Sequence, residues 1–188
     1  MDKIKQVIEA IEANTQEYIV IAIDGRCASG KTTLANKLAQ YFHANVFHMD
    51  DYFLRKEQRT KERLSEIGGN VDRERFIEEI ASKLHSDADI VFAPFDCKTI
   101  ALKEKRTVKQ THITIIEGSY AMHPLLRKYY DYMIYLTIDP QTQQNRIYER
   151  NPEKYDDFMN RWIPLEETYF TAYCFEEICN ICIKAEEW

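Results

Sequence analysis

Tyr18-Ile19-Val20-Ile21-Ala22-Ile23-Asp24-Gly25-Arg26-Cys27-Ala28-Ser29-Gly30-Lys31-Thr32-Thr33-Leu34 changes character twice. Tyr18 to Ile23 is an unbroken apolar run rich in β-branched residues, the pattern of a strand covered on both faces in a parallel sheet. Gly25 to Thr32 then follows the spacing G-x-x-x-x-G-K-T. After it Leu34, Ala35, Leu38, Ala39 and Phe42 recur at helical spacing. Strand, glycine loop and helix are the context in which this spacing works as a phosphate-binding loop. Gly25 and Gly30 let the main chain approach a phosphate closely. Successive N–H groups point inward, and the positive end of the following helix faces the anion. The loop residues Gly25, Ala28, Ser29, Gly30, Lys31, Thr32 and Thr33 are therefore expected to hold ATP. Lys31 sets an ammonium against the β- and γ-phosphates, and the Thr32 hydroxyl is an oxygen ligand for Mg²⁺.

Working outward, Ile4, Val7, Ile8 and Ile11 predict a helix within residues 1–16. Asn45 to Met49 predicts a second strand, His112 to Ile116 a third, Tyr132 to Ile138 a fourth and Ile181 to Ile183 a last one. Asp89 to Ala93 predicts a short strand closed by Pro94. Asp72 caps a helix carrying Phe76, Ile77, Ile80, Ala81 and Leu84. Arg55, Lys56, Arg59, Lys61 and Arg63 read as a solvated helix face, and residues 98–109 as a charged excursion, a hairpin. Further helices are expected near Pro124 to Tyr129, over 140–150 and over 153–178. Strands alternating with helices predict an α/β, three-layer P-loop NTPase fold, with a mostly parallel central sheet of about five strands and helices on both faces. No repeat or linker divides residues 1–188, so one domain is expected.

In such a sheet, ligands lie at the carboxyl ends of the strands. Asp50 ends the second strand, Glu117 the third and Asp24 the first, which makes them the carboxylates available to a metal or a reacting hydroxyl. Composition narrows the partners. Asp and Glu total 31 against 25 Lys and Arg, a formal charge of −6, which lacks the basic footprint of a nucleic-acid binder. Neither an apolar leader nor an apolar run long enough to cross a membrane is visible. Cys27, Cys97, Cys174, Cys179 and Cys182 are an odd, scattered set that suits a reducing compartment. Cys179 and Cys182 have C-x-x-C spacing without a second pair, so buried structural thiols are expected there. A cytoplasmic protein with no nucleic-acid or membrane partner is the expectation, with a homo-oligomer left open. The aromatic cluster Tyr169, Phe170, Tyr173 and Phe175 is expected in the core, with Trp162 beside it.

Ile21-Ala22-Ile23-Asp24-Gly25, the glycine loop, Asp50-Asp51-Tyr52-Phe53, Pro94-Phe95-Asp96, Ile115-Ile116-Glu117-Gly118 and Glu149-Arg150 stand in the order seen in uridine kinases. From about Tyr18 to Ile183 the chain resembles the uridine kinase and phosphoribulokinase group of small-molecule P-loop kinases. That resemblance implies a catalytic Asp50 orienting or deprotonating an acceptor hydroxyl, and Glu117 near magnesium with Thr32 and Asp50. It also implies a substrate side of Tyr52, Asp72, Phe95 and Asp96, within excursions at about 52–70 and 95–111. A lid-like segment at about 141–165 would bring Arg146 and Arg150 to the triphosphate, with Arg161 a weaker match.

Two positions depart from the resemblance. Uridine kinases carry a histidine four residues after the pocket aspartate, where this chain has Ile100, and Phe95 stands in place of a tyrosine. Both changes remove groups able to hydrogen-bond a polar base. The expectation is therefore a uridine kinase-like phosphotransferase acting on a nucleoside or other sugar-like alcohol, with the acceptor unidentified. An alternative from another class is a nucleotide-dependent regulatory ATPase or switch acting on a protein partner. Asp50, Asp72 and the Phe95-Asp96 pair speak against it, because a switch needs no alcohol-binding pocket.

Overall fold

The computed structural model describes residues 3–187; Met1, Asp2 and Trp188 of the expected single unit lie outside the described residues. Nine strands are described: β1 (Ile19–Gly25), β2 (Asn45–His48), β3 (Ile90–Phe92), β4 (Phe95–Asp96), β5 (Ala101–Leu102), β6 (Arg106–Val108), β7 (Ile113–Glu117), β8 (Tyr132–Thr137) and β9 (Ile181–Lys184). The α-helices are α1 (Lys3–Glu12), α2 (Lys31–Phe42), α3 (Lys61–Ser65), α4 (Arg73–Glu79), α5 (Pro140–Arg150), α6 (Tyr155–Asp157), α7 (Ile163–Tyr173) and α8 (Phe175–Ile178). The central sheet has five strands in the order β2-β7-β1-β8-β9, and every pairing in it is parallel. This is the expected α/β architecture.

All seven residues of β1 are buried, because both faces of the strand are covered. Ile19, Ile21 and Ile23 turn to one face and pack with Val7 and Ile11 of α1 and Leu34 and Leu38 of α2. Val20 and Ala22 turn to the other, into a larger cluster with Phe47, Phe76, Tyr135, Tyr169, Phe170 and Phe175. The period-two alternation of a strand thus builds two cores from one continuous apolar run. Each fully buried isoleucine contributes about 1.5–3 kcal/mol of transfer free energy, so β1 is the strand on which both layers depend. The aromatic cluster expected in the core is there.

Several local expectations differ. The strand at Ile90–Phe92 does not join the central sheet; it pairs antiparallel with Arg106–Val108, while Phe95–Asp96 pairs with Ala101–Leu102. The charged excursion is therefore two small ladders, not one hairpin. Pro124 to Tyr129 forms only a 3₁₀ turn at Arg127–Tyr129. The helix expected over 153–178 is interrupted by a π-helical turn at Phe158–Trp162. Pro164 supplies no N–H to that turn, which frees a carbonyl one turn earlier and lets the coil widen. A left-handed Cys174 then ends α7. The basic run at Arg55 to Arg63 is solvated at Lys56, Arg59 and Lys61, whereas the Arg63 guanidinium turns inward and donates to Gly69 O, Val71 O and the Glu74 carboxylate. The C-x-x-C pair is half-buried, and none of the five cysteines is in a disulfide.

Gly25 closes β1 at φ 145°, and a Cβ there would lie 2.0 Å from the main-chain oxygen of Leu136 in β8. A backbone atom in the middle of a sheet cannot step aside. Gly25→Ala is expected to destabilise the fold by about 3 kcal/mol, which in a domain of this size lowers Tm by about 6–12 °C. Calorimetric melting checks it, and an unchanged Tm would show that β1 and β8 can separate without cost.

Candidate functional site

The parallel registry brings the chemistry together. Ile23 sits beside Glu117 across β1 and β7, and His48 sits beside Glu117 across β2 and β7. The carboxyl ends of three neighbouring strands therefore meet where β1 runs into the loop. Gly30, left-handed at φ 96°, caps the start of α2. Ala28 is left-handed as well, at φ 61°, a conformation that costs a non-glycine residue on the order of 1 kcal/mol. Lys31 Nζ bridges Gly25 O at 2.7 Å and Arg26 O at 3.0 Å, which fixes the ammonium inside the loop it closes. Ser29 Oγ is buried and has no partner, a polar atom left over inside the loop.

Next to the loop, Thr32 Oγ1 donates to Glu117 Oε2 at 3.2 Å. The other Glu117 oxygen makes a short contact with His48 Nδ1, and that bond raises the His48 pKa. His48 thus orients the Glu117 carboxylate towards Thr32, a role invisible in the sequence, where His48 reads as an ordinary strand residue. Asp50 follows β2 in a 3₁₀ turn and opens onto the same space. Its carboxylate accepts no hydrogen bond from the described residues, and desolvation, then Glu117, raises its pKa. Thr32, Glu117 and Asp50 offer a hydroxyl and two carboxylates, a set of hard oxygen donors that fits Mg²⁺. No group of three or more His, Cys, Asp or Glu among the described residues could hold a metal by itself.

These residues line one cleft of about 970 Å³, with Ala28, Gly30, Lys31, Thr32, Thr33, Asp50, Glu117 and Phe95 in its wall. Arg146, Arg150 and Arg161 reach it from the segment after β8. Arg146 donates to Ala28 O at 3.1 Å, Arg150 lies 3.8 Å from Cys27 Sγ, and Arg161 stacks on Trp162 at 4.6 Å. Asp24 is not available to a metal. It is fully buried, and its carboxylate accepts from Gly25 N, Met122 N and Tyr169 Oη, while burial raises its pKa to about 6.

Three expected substrate residues stand apart from the cleft. Tyr52 is fully buried, donates to Glu79 at 3.0 Å and lies under the Arg75 guanidinium. Asp72 is buried, caps α4 through Arg75 N, and accepts from Gln58 Nε2 at 2.8 Å. Asp96 turns back onto its own chain to accept from Lys98 N at 2.9 Å, which holds its carboxyl below the usual range.

A pair with no motif around it proves central. Glu166 of α7 is buried, accepts from the loop amide Cys27 N at 2.9 Å and from Ser119 Oγ at 2.6 Å, and burial raises its pKa. Glu167 grips Arg26 through two parallel bonds at 2.6 and 2.9 Å, the strong bidentate arrangement of this pair type. With Gln143 donating to Cys27 O at 3.0 Å, the outer rim of the phosphate loop is held by α5 and α7. Glu166→Ala leaves a loop amide without its acceptor. It is expected to weaken ADP binding about tenfold, the equivalent of one lost charge-assisted bond, while Glu166→Gln keeps an acceptor and most of the affinity. Titration calorimetry checks this; equal ADP affinity in all three proteins would show that the loop holds its shape without α7.

Comparison with known proteins bears on the fold and the family. A family model described as the KAP family P-loop domain matches residues 2–160. A curated relative, uridine kinase-like protein 4 of Arabidopsis thaliana, is 24% identical over 156 residues, which is 79% of this chain and 33% of that protein. The chain therefore spans about a third of the length of the curated relative it matches. Among solved structures, a possible uridine kinase from Bacillus stearothermophilus superposes with a TM-score of 0.73 at 25% identity, covering 97% of both chains. Phosphoribulokinase from Rhodobacter spheroides superposes with a TM-score of 0.59 at 9% identity, covering 89% of this chain and 70% of that one, a likeness of fold alone. No described helix is long and apolar enough to cross a membrane.

Proposed function

The chain belongs to the KAP family P-loop domain, and from that premise we propose that it is an ATP-dependent small-molecule kinase. One observation carries the reading: Asp50, a carboxylate without an internal partner, shares a single cleft with Lys31, Thr32 and Glu117. A carboxylate so placed can orient and deprotonate an attacking hydroxyl beside the phosphate loop, and the kinase likeness makes that hydroxyl an alcohol's. The loop amides and Lys31 would hold the β- and γ-phosphates, and Arg146 and Arg150 would close over them from the lid-like segment. Thr32, Glu117 and Asp50 would hold Mg²⁺, which when bound neutralises charge on the phosphate oxygens.

Asp50 would orient the acceptor hydroxyl and take its proton. The acceptor oxygen then bonds to the γ-phosphorus, the bond from that phosphorus to the β,γ-bridging oxygen breaks, and ADP leaves. Most of the rate would come from positioning and charge neutralisation, as is general for phosphoryl transfer. The resemblance to uridine kinases makes nucleosides and other sugar-like alcohols the first acceptors to try. A coupled ADP-release screen over such alcohols, with Lys31→Ala as the blank, tests the reading. An ATPase rate indifferent to every alcohol, together with a protein partner bound only in one nucleotide state, would favour the switch instead.

A further inference from the structure

We propose that the acceptor of this site is an alcohol on an apolar carbon body, such as an aryl or prenyl carbinol, recognised by an apolar wall beside Asp50. The inference rests on the kinase reading for its chemistry and names the substrate class of the same cleft. The acceptor side of the cleft is walled by Phe53, Leu54, Leu64, Ile67, Phe95 and Ile100. Of the polar residues there, Ser65, Glu66 and Asn70 are engaged within the protein, while Arg59 and Lys154 carry their charged heads at the exposed rim. Ser65 Oγ donates to Glu62 O at 2.7 Å, and Glu66 pairs with Arg73. The Asn70 amide hydrogen-bonds Tyr120, and Arg59 Nε donates to Leu54 O at 3.0 Å from an exposed place on the rim. Tyr52, Asp72 and Asp96 face away, as described above. A polyhydroxylated acceptor entering here would lose water from its hydroxyls and find few groups to replace it, at a cost for each unpaired hydroxyl.

The exposure of this wall adds to its composition. Leu64, Ile67, Ile100 and Leu165 are exposed by 42%, 36%, 42% and 40%, yet all four line this cleft. Apolar side chains gathered at the mouth of a concave site mark a surface that a ligand covers. Ile100 is the sharpest of them, because its backbone is left-handed at φ 54°. A β-branched residue is a true outlier in that region, and an exposed isoleucine gains nothing from the core in return. The Ile100 amide donates to Asp96 O at 2.8 Å and so closes the turn between β4 and β5, a turn that presents an apolar side chain at the cleft wall where a polar one would suit the backbone better. Asparagine suits a left-handed backbone far better, so Ile100→Asn removes the apolar contact without endangering the fold.

The test measures kcat/KM on the purified chain with saturating ATP and Mg²⁺ for two sets of alcohols. One set holds benzyl alcohol, 4-methylbenzyl alcohol and geraniol; the other holds uridine, ribose and gluconate. The expected result is at least a tenfold preference for the best apolar alcohol. In Ile100→Asn that preference falls about fivefold or more through KM, while the KM for ATP is unchanged and Tm is equal or higher. A sugar or nucleoside leading the ranking, or an Ile100→Asn variant with unaltered acceptor KM, overturns the proposal. If neither set is phosphorylated although ADP binds, the same compounds are scored by thermal stabilisation of the ADP-bound protein. Stabilisation by the apolar set that Ile100→Asn abolishes keeps the wall and removes the kinase reading; stabilisation by neither set overturns the inference.

Discussion

Lys31→Ala is expected to lower kcat/KM for ATP by about 10²–10³-fold or more, with ADP affinity falling in parallel and Tm within about 2–3 °C of the parent. The first number follows from removing one preorganised charged donor aimed at the phosphates, an effect of that size where charge develops in the transition state. The second follows from where the ammonium sits. Its two partners, Gly25 O and Arg26 O, are loop carbonyls at 2.7 and 3.0 Å, and the space the ammonium vacates opens onto the cleft that Lys31 lines. Freed of Lys31, both carbonyls can take water, so the net loss is about 1 kcal/mol. Stability and function thus separate at this residue, which Gly25→Ala cannot achieve. Fluorescent-ADP titration, melting and turnover on one preparation check all three. Intact ADP affinity in Lys31→Ala would mean that the phosphates bind elsewhere in the cleft, and would remove the premise for every role assigned around the loop.

What the sequence made legible, and what it hid, divides along a physical line. The loop could be read because its function lies in backbone geometry, and Gly25, Gly30 and the flanking strand and helix specify that geometry locally. Glu117 and Asp50 could be placed because a buried parallel strand fixes where its carboxyl end points, and the registry of β1, β2 and β7 then makes neighbours of them. Tyr52, Asp72 and Asp96 come from segments just as legible, but side-chain direction is decided by distant or turn-level partners. Gln58, Glu79 and Arg75 engage two of them, and a tight turn engages the third. Glu166 lay beyond sequence reading for the same reason: its partner Cys27 N is 139 residues away. An acidic pair in a helix has no motif, and only the packing of α7 on the loop turns Glu166 into an acceptor. The π-helical turn and the two small ladders were missed because each reports a compromise between local periodicity and tertiary packing. The residues that hold the phosphate loop in shape were therefore less visible than the loop itself.

Asp50→Asn is expected to lower kcat by about 10²–10⁴-fold, the range for losing a positioned general base, while leaving ADP affinity close to the parent's. Asparagine keeps the shape and can still hydrogen-bond an alcohol, so what it loses is the capacity to take the proton and a charged oxygen for Mg²⁺, and the ADP affinities are therefore compared without Mg²⁺. Binding should survive because Asp50 makes no contact that shapes the loop, unlike Lys31, Arg146 or Glu166. The pH profile supplies a sharper check. Desolvation and the nearby Glu117 both disfavour the charged form of Asp50, while Lys31 and His48 favour it, and the balance raises its pKa. A base works only when deprotonated, so kcat/KM should fall as pH falls through the Asp50 pKa, which the Mg²⁺ it would help to hold draws back down from that raised value. The residual rate of Asp50→Asn should show no such limb over the same interval. His48 also titrates upward of its usual value through its bond to Glu117, so a limb that persists in Asp50→Asn and vanishes in His48→Gln would belong to the His48–Glu117 pair. Near-normal kcat in Asp50→Asn with unchanged ADP affinity would place the base elsewhere. The candidates would then be Glu117, already turned towards Thr32, and Glu166, already engaged by Cys27 and Ser119. Neither is as free to receive a proton, and that difference is the physical ground for assigning the step to Asp50.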